Sequence, residues 1–223
     1  MDLKDRAELL RQCADNPQLQ ALQMEMCRRD VKYFISTFCW TTNPRAEFRD
    51  LPFNLYPFQE WLVDEIVGCI EDQVDCGVVK SRDMGVTWLV VVVMVWYLIF
   101  HPGYPCHVGS KKEQDVCNAQ MDPDSTIFGK IRYVLYMLPP WMLPSISDKK
   151  LSLLNEDNNN IITGESANPS FGRSRRYRFI FFDELAFWEK AEAAYEGCAD
   201  TTNCRIAVST PYGESNKFYN IKY

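Results

Sequence analysis

The most apolar stretch of the chain is VTWLVVVVMVWYLIF, residues 86–100. It is shorter than the roughly 18 to 20 residues that a membrane-spanning helix needs. His101-Pro102-Gly103 follows it directly and is a turn signal. We therefore predict a helix buried in a protein core, because burial overrides the weak helix propensity of its β-branched residues.

Helical periodicity predicts helices over residues 3–14 and 18–38, separated at Asn16-Pro17, and another over 57–72. Residues 41–55 contain polar residues and two prolines, which predicts a loop. Later apolar runs alternate with helical stretches and predict parallel β-α-β units. The predicted strands are CGVVKS, CHVGS, KLSLL, NIITGES, FIFF and RIAVST. Two further helices are predicted over residues 126–138 and 188–197. The segment NEDNNN, between KLSLL and NIITGES, is predicted to be a hairpin turn.

These elements predict an α/β fold with helices flanking a mostly parallel sheet. We assign residues 1–55 to a helical amino-terminal lead-in and linker. Residues 56–223 then form the core domain. No internal repeat interrupts this order.

Composition and charge narrow the possible functions. The net charge is −6, so any surface that binds nucleic acid must be local, because phosphate would repel the chain as a whole. The nine cysteines form no C-x-x-C pair and only two histidines are present, which disfavours a zinc site and indicates a reducing compartment. The charged amino terminus, MDLKDRAELLRQ, does not have the pattern of a signal peptide.

Residues 78–88, VVKSRDMGVTW, partly match the phosphate-binding pattern G-x-x-x-x-G-K-[ST]. Gly85 and Thr87 occupy the expected places, but Val86 stands where the lysine belongs and Lys80 where the first glycine belongs. A lysine is a flexible point charge, so Lys80 can serve if its ammonium reaches the phosphates. Backbone N–H groups and the start of the next helix also favour phosphate. A solvated lysine at a strand end is the alternative.

Four apolar residues, Phe179–Phe182, stand directly before Asp183-Glu184. A continuously apolar strand is typical of a buried parallel sheet, whose ligands bind beyond the strand carboxyl ends. There Asp183 can hold Mg²⁺, and Glu184 can orient and deprotonate an attacking water. Two solvated acids that cap the next helix are the alternative. The order of the two motifs, each after a strand, favours a nucleotide site.

A series of segments resembles the large terminase subunits of tailed bacteriophages, the ATPases that drive DNA into capsids. DVKYFISTFCWTTNP resembles the family's lead-in, and LYPFQEWLVDEI its adenine-contacting segment. KSRDMGVTW resembles the family's deviant phosphate loop, and VGSKKEQ the element after the next strand. FIFFDE resembles the Walker B strand and STPYG the coupling motif. The resemblance runs from about residue 30 to the end of the chain.

The resemblance implies a P-loop NTPase-like fold (RecA/ASCE type) with ATP and Mg²⁺ as cofactors. The residues implied to bind the nucleotide are Gln59, at the adenine base, and Lys80, Ser81, Arg82, Asp83, Met84, Gly85, Val86 and Thr87, at the phosphates. Thr87 and Asp183 are implied to hold Mg²⁺. Lys80 supplies charge to the phosphates, and Arg82 acts as an arginine finger in cis. Glu184 is the implied catalytic base.

Two further groups of residues carry weaker signals. Ser209 and Thr210 match the family's coupling motif, in which hydroxyls sense the γ-phosphate, although a plain strand-to-turn transition explains them equally. The segment GRSRRYR places Arg173, Arg175 and Arg176 near aromatic residues. They could contact DNA phosphates or a neighbouring subunit's nucleotide. A charged β-edge that resists aggregation is the alternative.

The family also implies the partners. These are double-stranded DNA, the portal protein and the small terminase subunit. We expect a homo-oligomeric ring in the working motor, a monomer in isolation, no membrane, and the host cytoplasm as the location of a virus-encoded protein. The family's carboxy-terminal nuclease domain has no counterpart after residue 215, so we expect an isolated motor domain, a fragment of a longer protein, that does not cut DNA.

Two other functions remain open. A helicase-like or restriction-type DNA translocase shares the STP element and the Gln59 segment, and only the position of Lys80 and the CWTTNP lead-in favour a terminase. A nucleotide-binding module that has lost turnover is the second alternative. The lysine missing at position 86 would be its mark.

Overall fold

The computed structural model describes residues 1–120 and 122–222. The helices are α1 (Leu3–Cys13), α2 (Pro17–Arg29), α3 (Val31–Phe38), α4 (Pro57–Asp72), α5 (Val86–Phe100), α6 (Glu113–Val116), α7 (Ile127–Met137), α8 (Ala191–Gly197) and α9 (Lys217–Lys222). The strands are β1 (Trp40–Thr42), β2 (Asp50–Pro52), β3 (Cys76–Val79), β4 (Cys106–Ser110), β5 (Ile146–Lys149), β6 (Ser152–Asn155), β7 (Ile161–Ser166), β8 (Phe179–Asp183) and β9 (Arg205–Ser209). Short 3₁₀ helices cover Pro140–Met142 and Leu185–Phe187.

Seven strands form one sheet in the order β3-β9-β8-β4-β7-β6-β5. The first five run parallel to one another, and β6 and β5 add an antiparallel edge. The segments that follow β3, β8 and β9 therefore gather at one end of the sheet. The predicted mostly parallel sheet and the hairpin between KLSLL and NIITGES are confirmed.

Helix α5 is the centre of the larger hydrophobic core. Of its 15 residues, 13 are buried. It packs against α4, α7 and α3 and against the sheet at β7. The buried helix predicted over residues 86–100 is confirmed, and no helix among the described residues is both long and apolar enough to cross a membrane.

Strand β8 is buried on both of its faces. Phe179 and Phe181 belong to the core around α5, whereas Ile180 and Phe182 belong to a second core that includes α8. Strand side chains alternate between faces, so a strand covered on both sides is apolar at every position. This explains the uninterrupted FIFF run and leaves Asp183 as the first polar side chain, at the carboxyl end.

The amino-terminal helices share the core of the sheet domain. Cys27, Phe34 and Phe53 lie in the same hydrophobic cluster as α5. The indole Nε1 of Trp96 donates to the carbonyl of Cys27 at 2.6 Å. The lead-in assigned to residues 1–55 is therefore packed into the domain rather than attached by a linker.

Two local predictions are wrong, and two elements lie outside the predictions. Residues 18–38 form two helices, because the extended backbone of Asp30 ends α2 and its carboxylate accepts from the N–H groups of Lys32 and Tyr33 to begin α3. Residues 41–55 are not a loop throughout, because they include the end of β1 and all of β2, which pair as an antiparallel hairpin. Strand β5 and helix α9 were not predicted; β5 has no apolar run of its own and exists by pairing with β6.

Candidate nucleotide-binding site

The loop between β3 and α5 has the backbone of an anion-binding turn. Asp83 and Gly85 are both left-handed, with φ of 62° and 70°. A side chain at Gly85 would also place its Cβ 2.9 Å from Nε2 of Gln59, so glycine is favoured there by both its backbone conformation and this close approach. No backbone N–H of residues 81–87 donates to another described residue. These free donors at the start of a long helix suit a phosphate.

Thr87 and Asp183 meet across 96 residues of chain. The Thr87 hydroxyl donates to Oδ1 of Asp183 at 3.0 Å. Burial, reinforced by the charge of Glu184, raises the pKa of Asp183 to about 6, while Lys80 and Thr87 act in the opposite direction.

The donors at this point fit Mg²⁺. A hydroxyl and a carboxylate are hard oxygen ligands, and Mg²⁺ uses one or two carboxylates with waters and substrate phosphates. No group of three His, Cys, Asp or Glu side chains suited to a metal occurs among the described residues. An ion held by Thr87 and Asp183 would therefore complete its coordination with water and phosphate.

Glu184 turns out of the strand. Its φ of 52° and ψ of 43° are left-handed, a conformation that costs a non-glycine residue about 1–3 kcal/mol. Residues 183 and 184 do not alternate along one strand, because β8 ends at Asp183. The turn brings the Glu184 carboxylate to Lys80, with Nζ to Oε1 at 2.6 Å.

The coupling residues contact the other oxygen of Glu184. Its Oε2 accepts from the N–H and the hydroxyl of Thr210, at 3.2 and 3.1 Å, and from the hydroxyl of Ser209 at 3.2 Å. Burial alone would raise the pKa of Glu184, but the bonds and charge of Lys80 and the donors of Thr210 outweigh it and lower the pKa. The structure thus unites the predicted base, lysine and coupling residues in one hydrogen-bonded group.

A cavity of about 700 Å³ opens beside the phosphate loop. This volume suits a nucleotide-sized ligand. Its wall is formed by residues 41–45 and 51–54 of the β1–β2 hairpin region, by Tyr56, Phe58 and Gln59, by Lys80 and residues 83–88, and by Asp124 and Lys130. The segment predicted as a linker therefore forms a side of the site.

Gln59 connects α4 to the phosphate loop. Its Oε1 accepts from the N–H of Tyr56 and its Nε2 donates to the carbonyl of Met84, both at 3.0 Å. One N–H of the amide remains available, so the adenine contact stays a prediction. The rings of Tyr56 and Phe58 are stacked with centroids 6.0 Å apart and also line the cavity.

Lys130 is a residue of this cavity wall that is absent from the predicted site. It lies on α7, is 9% exposed, and lines the same cavity as Lys80. One signal could have found it. Within IFGKIRYVLYM, this lysine falls among residues of the apolar face, where a surface lysine is not expected.

The predicted arginines do not line this cavity. Arg82 is exposed, and neither Ser81 nor Arg82 belongs to the cavity wall. Arg173, Arg175 and Arg176 are exposed on the segment between β7 and β8, where Nε of Arg173 donates to the carbonyl of Gly197 at 3.0 Å. They lie outside any strand, so the β-edge interpretation is wrong.

Comparisons with solved structures place the fold. No family model matches the chain. The large terminase of bacteriophage HK97 matches with a TM-score of 0.60 at 16% identity, over 85% of this chain and 39% of that one. The large terminase of a thermophilic bacteriophage matches with a TM-score of 0.54 at 12% identity, over 76% of this chain and 41% of that one. The same thermophilic-phage protein in complex with ADP matches with a TM-score of 0.53 at 13% identity, over 76% and 42%.

The chain spans about two fifths of the length of these proteins. At such identities the likeness concerns the fold. The predicted α/β, P-loop NTPase-like class is confirmed, and this chain has the fold found in the large terminases of bacteriophages.

Proposed function

We propose that this chain is the ATPase motor domain of a viral DNA-packaging terminase, hydrolysing ATP with Mg²⁺ to drive DNA into a capsid. The observation that carries the proposal is the meeting of Thr87 and Asp183, 3.0 Å apart, beside a loop of free N–H groups. Glu184 stands next to that pair. The fold shared with large terminases, one of them in complex with ADP, supports the same function.

Each group has a chemical role in this proposal. The loop N–H groups and Lys80 bind the phosphates. Thr87 and Asp183 hold Mg²⁺, which neutralises phosphate charge when bound. Glu184 accepts the proton of the attacking water. Its lowered pKa keeps the carboxylate ionised near neutral pH, as a base must be.

Glu184 also connects the nucleotide site to the segment after β9. Ser209 and Thr210 share its Oε2, while Lys80 holds Oε1. A nucleotide that attracts Lys80 toward its phosphates weakens the pair with Glu184 and alters the bonds to the β9 end. The state of the nucleotide is then communicated to the segment after β9.

One observation favours a second function, nucleotide binding without turnover. The lysine proposed for the phosphates neutralises the proposed base at 2.6 Å. If this pair persists with nucleotide bound, Glu184 cannot act as a base.

The deciding experiment measures phosphate release from ATP with Mg²⁺ and ATP binding by calorimetry. Glu184→Gln should lower release by about 10²- to 10⁴-fold and retain binding, because only the proton acceptor is lost. Glu189→Gln, an exposed neighbour, is the control and should release phosphate at the parent rate. Binding without release by the parent would favour the second function. No ATP binding by the parent would refute both.

We also propose that the working motor is a ring on double-stranded DNA, with the portal protein and small terminase subunit as partners. Arg173, Arg175 and Arg176 are exposed and lie outside their own cavity, so they are candidates to reach a neighbour's nucleotide, although Arg173 would have to leave the carbonyl of Gly197. An arginine supplied in trans is worth about 10³- to 10⁵-fold in rate. The release rate per protomer should rise with protein concentration, whereas a high rate independent of concentration would favour Arg82 in cis.

A further inference from the structure

Lys130 is a buried lysine on α7. Its Nζ donates to the backbone carbonyl of Asp124 at 3.2 Å and lies 5.5 Å from the ring centroid of Trp88. Among the described residues it forms no ion pair with a carboxylate. Its ammonium is thus held by a carbonyl and a ring face, and no described carboxylate lies within ion-pair distance of it.

If Lys130 had only a structural role, this arrangement would destabilise the folded state. A buried charge without a paired counter-charge carries a large desolvation penalty. Burial lowers the pKa of Lys130, while the charges of Asp183, Asp124 and Asp122 act against that shift. Neighbouring positions of α7, such as Phe128 and Ile131, are fully buried and apolar. The three aspartate carboxylates form no direct ion pair with Lys130, and an anionic ligand would supply one.

The position of Lys130 indicates which ligand this is. It lines the same cavity as Lys80 and Thr87. Trp88, under its ammonium, follows Thr87 directly, and Asp183 is the strongest of the charges that act on it. The ammonium therefore lies on the phosphate-loop and Asp183 side of the cavity. The loop itself has Val86, buried and uncharged, where a phosphate-binding lysine would stand.

We infer that Lys130 binds the polyphosphate of the nucleotide, reaching it from α7 and supplying a positive charge that position 86 lacks. This inference rests on the proposed function, because it takes the ligand to be a nucleoside polyphosphate. Lys80 and Lys130 then approach the phosphates from two separate elements, the end of β3 and the first turns of α7.

Calorimetric titration with ATP, ADP and AMP in the presence of Mg²⁺ tests the inference. Lys130→Met removes the charge at similar length and should weaken ATP binding about 10- to 100-fold, the worth of a hydrogen bond to a charged group. The loss should be smaller for ADP and smallest for AMP. Lys130→Arg should retain part of the affinity. Lys149→Met, an exposed lysine on β5, is the control and should bind like the parent.

The ligand-free melting temperature separates a binding role from a structural one. Lys130→Met should melt at or above the parent temperature, since a buried unpaired charge has been removed. If that variant fails to fold, acetylation of Lys130 in the parent, followed by mass spectrometry, replaces it and should be slowed by ATP more than by AMP.

If the parent protein binds ATP, any one of three results would overturn the inference about Lys130 without affecting the proposed function. These are unchanged ATP affinity in Lys130→Met, an equal loss for ATP and AMP, and acetylation of Lys130 that ATP does not slow. Failure of the parent to bind any nucleotide would instead overturn the proposed function, and the inference with it.

Discussion

Each end of the parallel sheet holds an ion pair, one between the starts of β3 and β9 and the other between the ends of β3 and β8, and the pairs differ in how completely their charged groups are hydrogen-bonded. At the amino-terminal end, Arg205 and Asp75 pair with Nη2 to Oδ2 at 2.5 Å and Nε to both carboxylate oxygens at 3.0 Å. The N–H of Arg205 and the hydroxyl of Tyr195 complete the Asp75 shell at 2.8 and 3.1 Å. The guanidinium also lies 4.3 Å from the centroid of the Tyr195 ring.

At the carboxyl-terminal end the Glu184 carboxylate accepts from Lys80, Ser209 and Thr210, but among the described residues the Lys80 ammonium donates only to Glu184. Lys80 meets Glu184 through a single point contact, Glu184 has a strained backbone, and Asp183 has a raised pKa. Lys130 is buried nearby without a carboxylate partner. The charges at one end complete one another, whereas those at the other end are arranged around a counter-charge that a ligand would bring. Strain and unpaired charge of this kind are typical of functional sites.

Among the variants that test this contrast, substitution of Lys80 should have the largest effect, and the effect should be on the rate of ATP hydrolysis. Lys80→Ala should lower the hydrolytic rate by about 10²-fold or more, because a charge aimed at the phosphates is lost. Val86→Ala removes no charge, and should cost about 1–2 kcal/mol of stability while leaving the rate within a fewfold of the parent. Steady-state ATPase assays on both variants check this. Similar rate losses in the two would remove the case for a relocated lysine.

An intermediate effect is expected at the opposite end, and on stability instead of rate. Asp75→Ala leaves the mostly buried Arg205 without its carboxylate, and should lower the free energy of unfolding by about 1–3 kcal/mol. ATP affinity and turnover should not change. Urea unfolding measures the loss, with the exposed Asp72→Ala as a control expected within about 0.5 kcal/mol of the parent. A loss of turnover in Asp75→Ala would show that the two ends are not independent.

The smallest effect concerns the pH dependence of stability at Asp183. Its folded pKa of about 6 lies above the ordinary value of 3.8, so the folded state holds this proton more tightly than the unfolded state. The resulting stabilisation is complete below about pH 4 and is lost as the pH rises through about 6.

Asp183→Asn has no such titration. Its stability relative to the parent should therefore rise by about 1–2 kcal/mol between roughly pH 4 and pH 8 in the absence of ligand. Mg²⁺-dependent ATP binding should fall in the same variant. Thermal unfolding across this pH range is the measurement, and a difference that does not change with pH would contradict the burial of an ionised Asp183.

Local patterns in the sequence determined much of the framework. Three elements could be predicted from residue order: helix α5, the FIFF strand and the helix over residues 57–72. An element buried on all sides is apolar throughout, and a helix buried on one face has apolar residues at helical spacing. The same order placed Thr87 after one strand and Asp183 after another. Parallel strands end at a common edge, so their meeting at 3.0 Å followed from topology. Their role with Mg²⁺ stays a prediction.

Other features depended on contacts between distant segments, and only the tertiary structure decided them. The β1–β2 hairpin pairs Trp40 with Pro52 and walls the cavity, although its residues have the composition of a loop. Glu184 leaves the strand in a left-handed turn that Lys80 and Thr210 stabilise from 104 and 26 residues away. Lys130 becomes a site residue only because α7 packs beside α5. Tertiary packing decides which charged groups surround a side chain. A short stretch of sequence does not contain this information, because those groups come from distant parts of the chain.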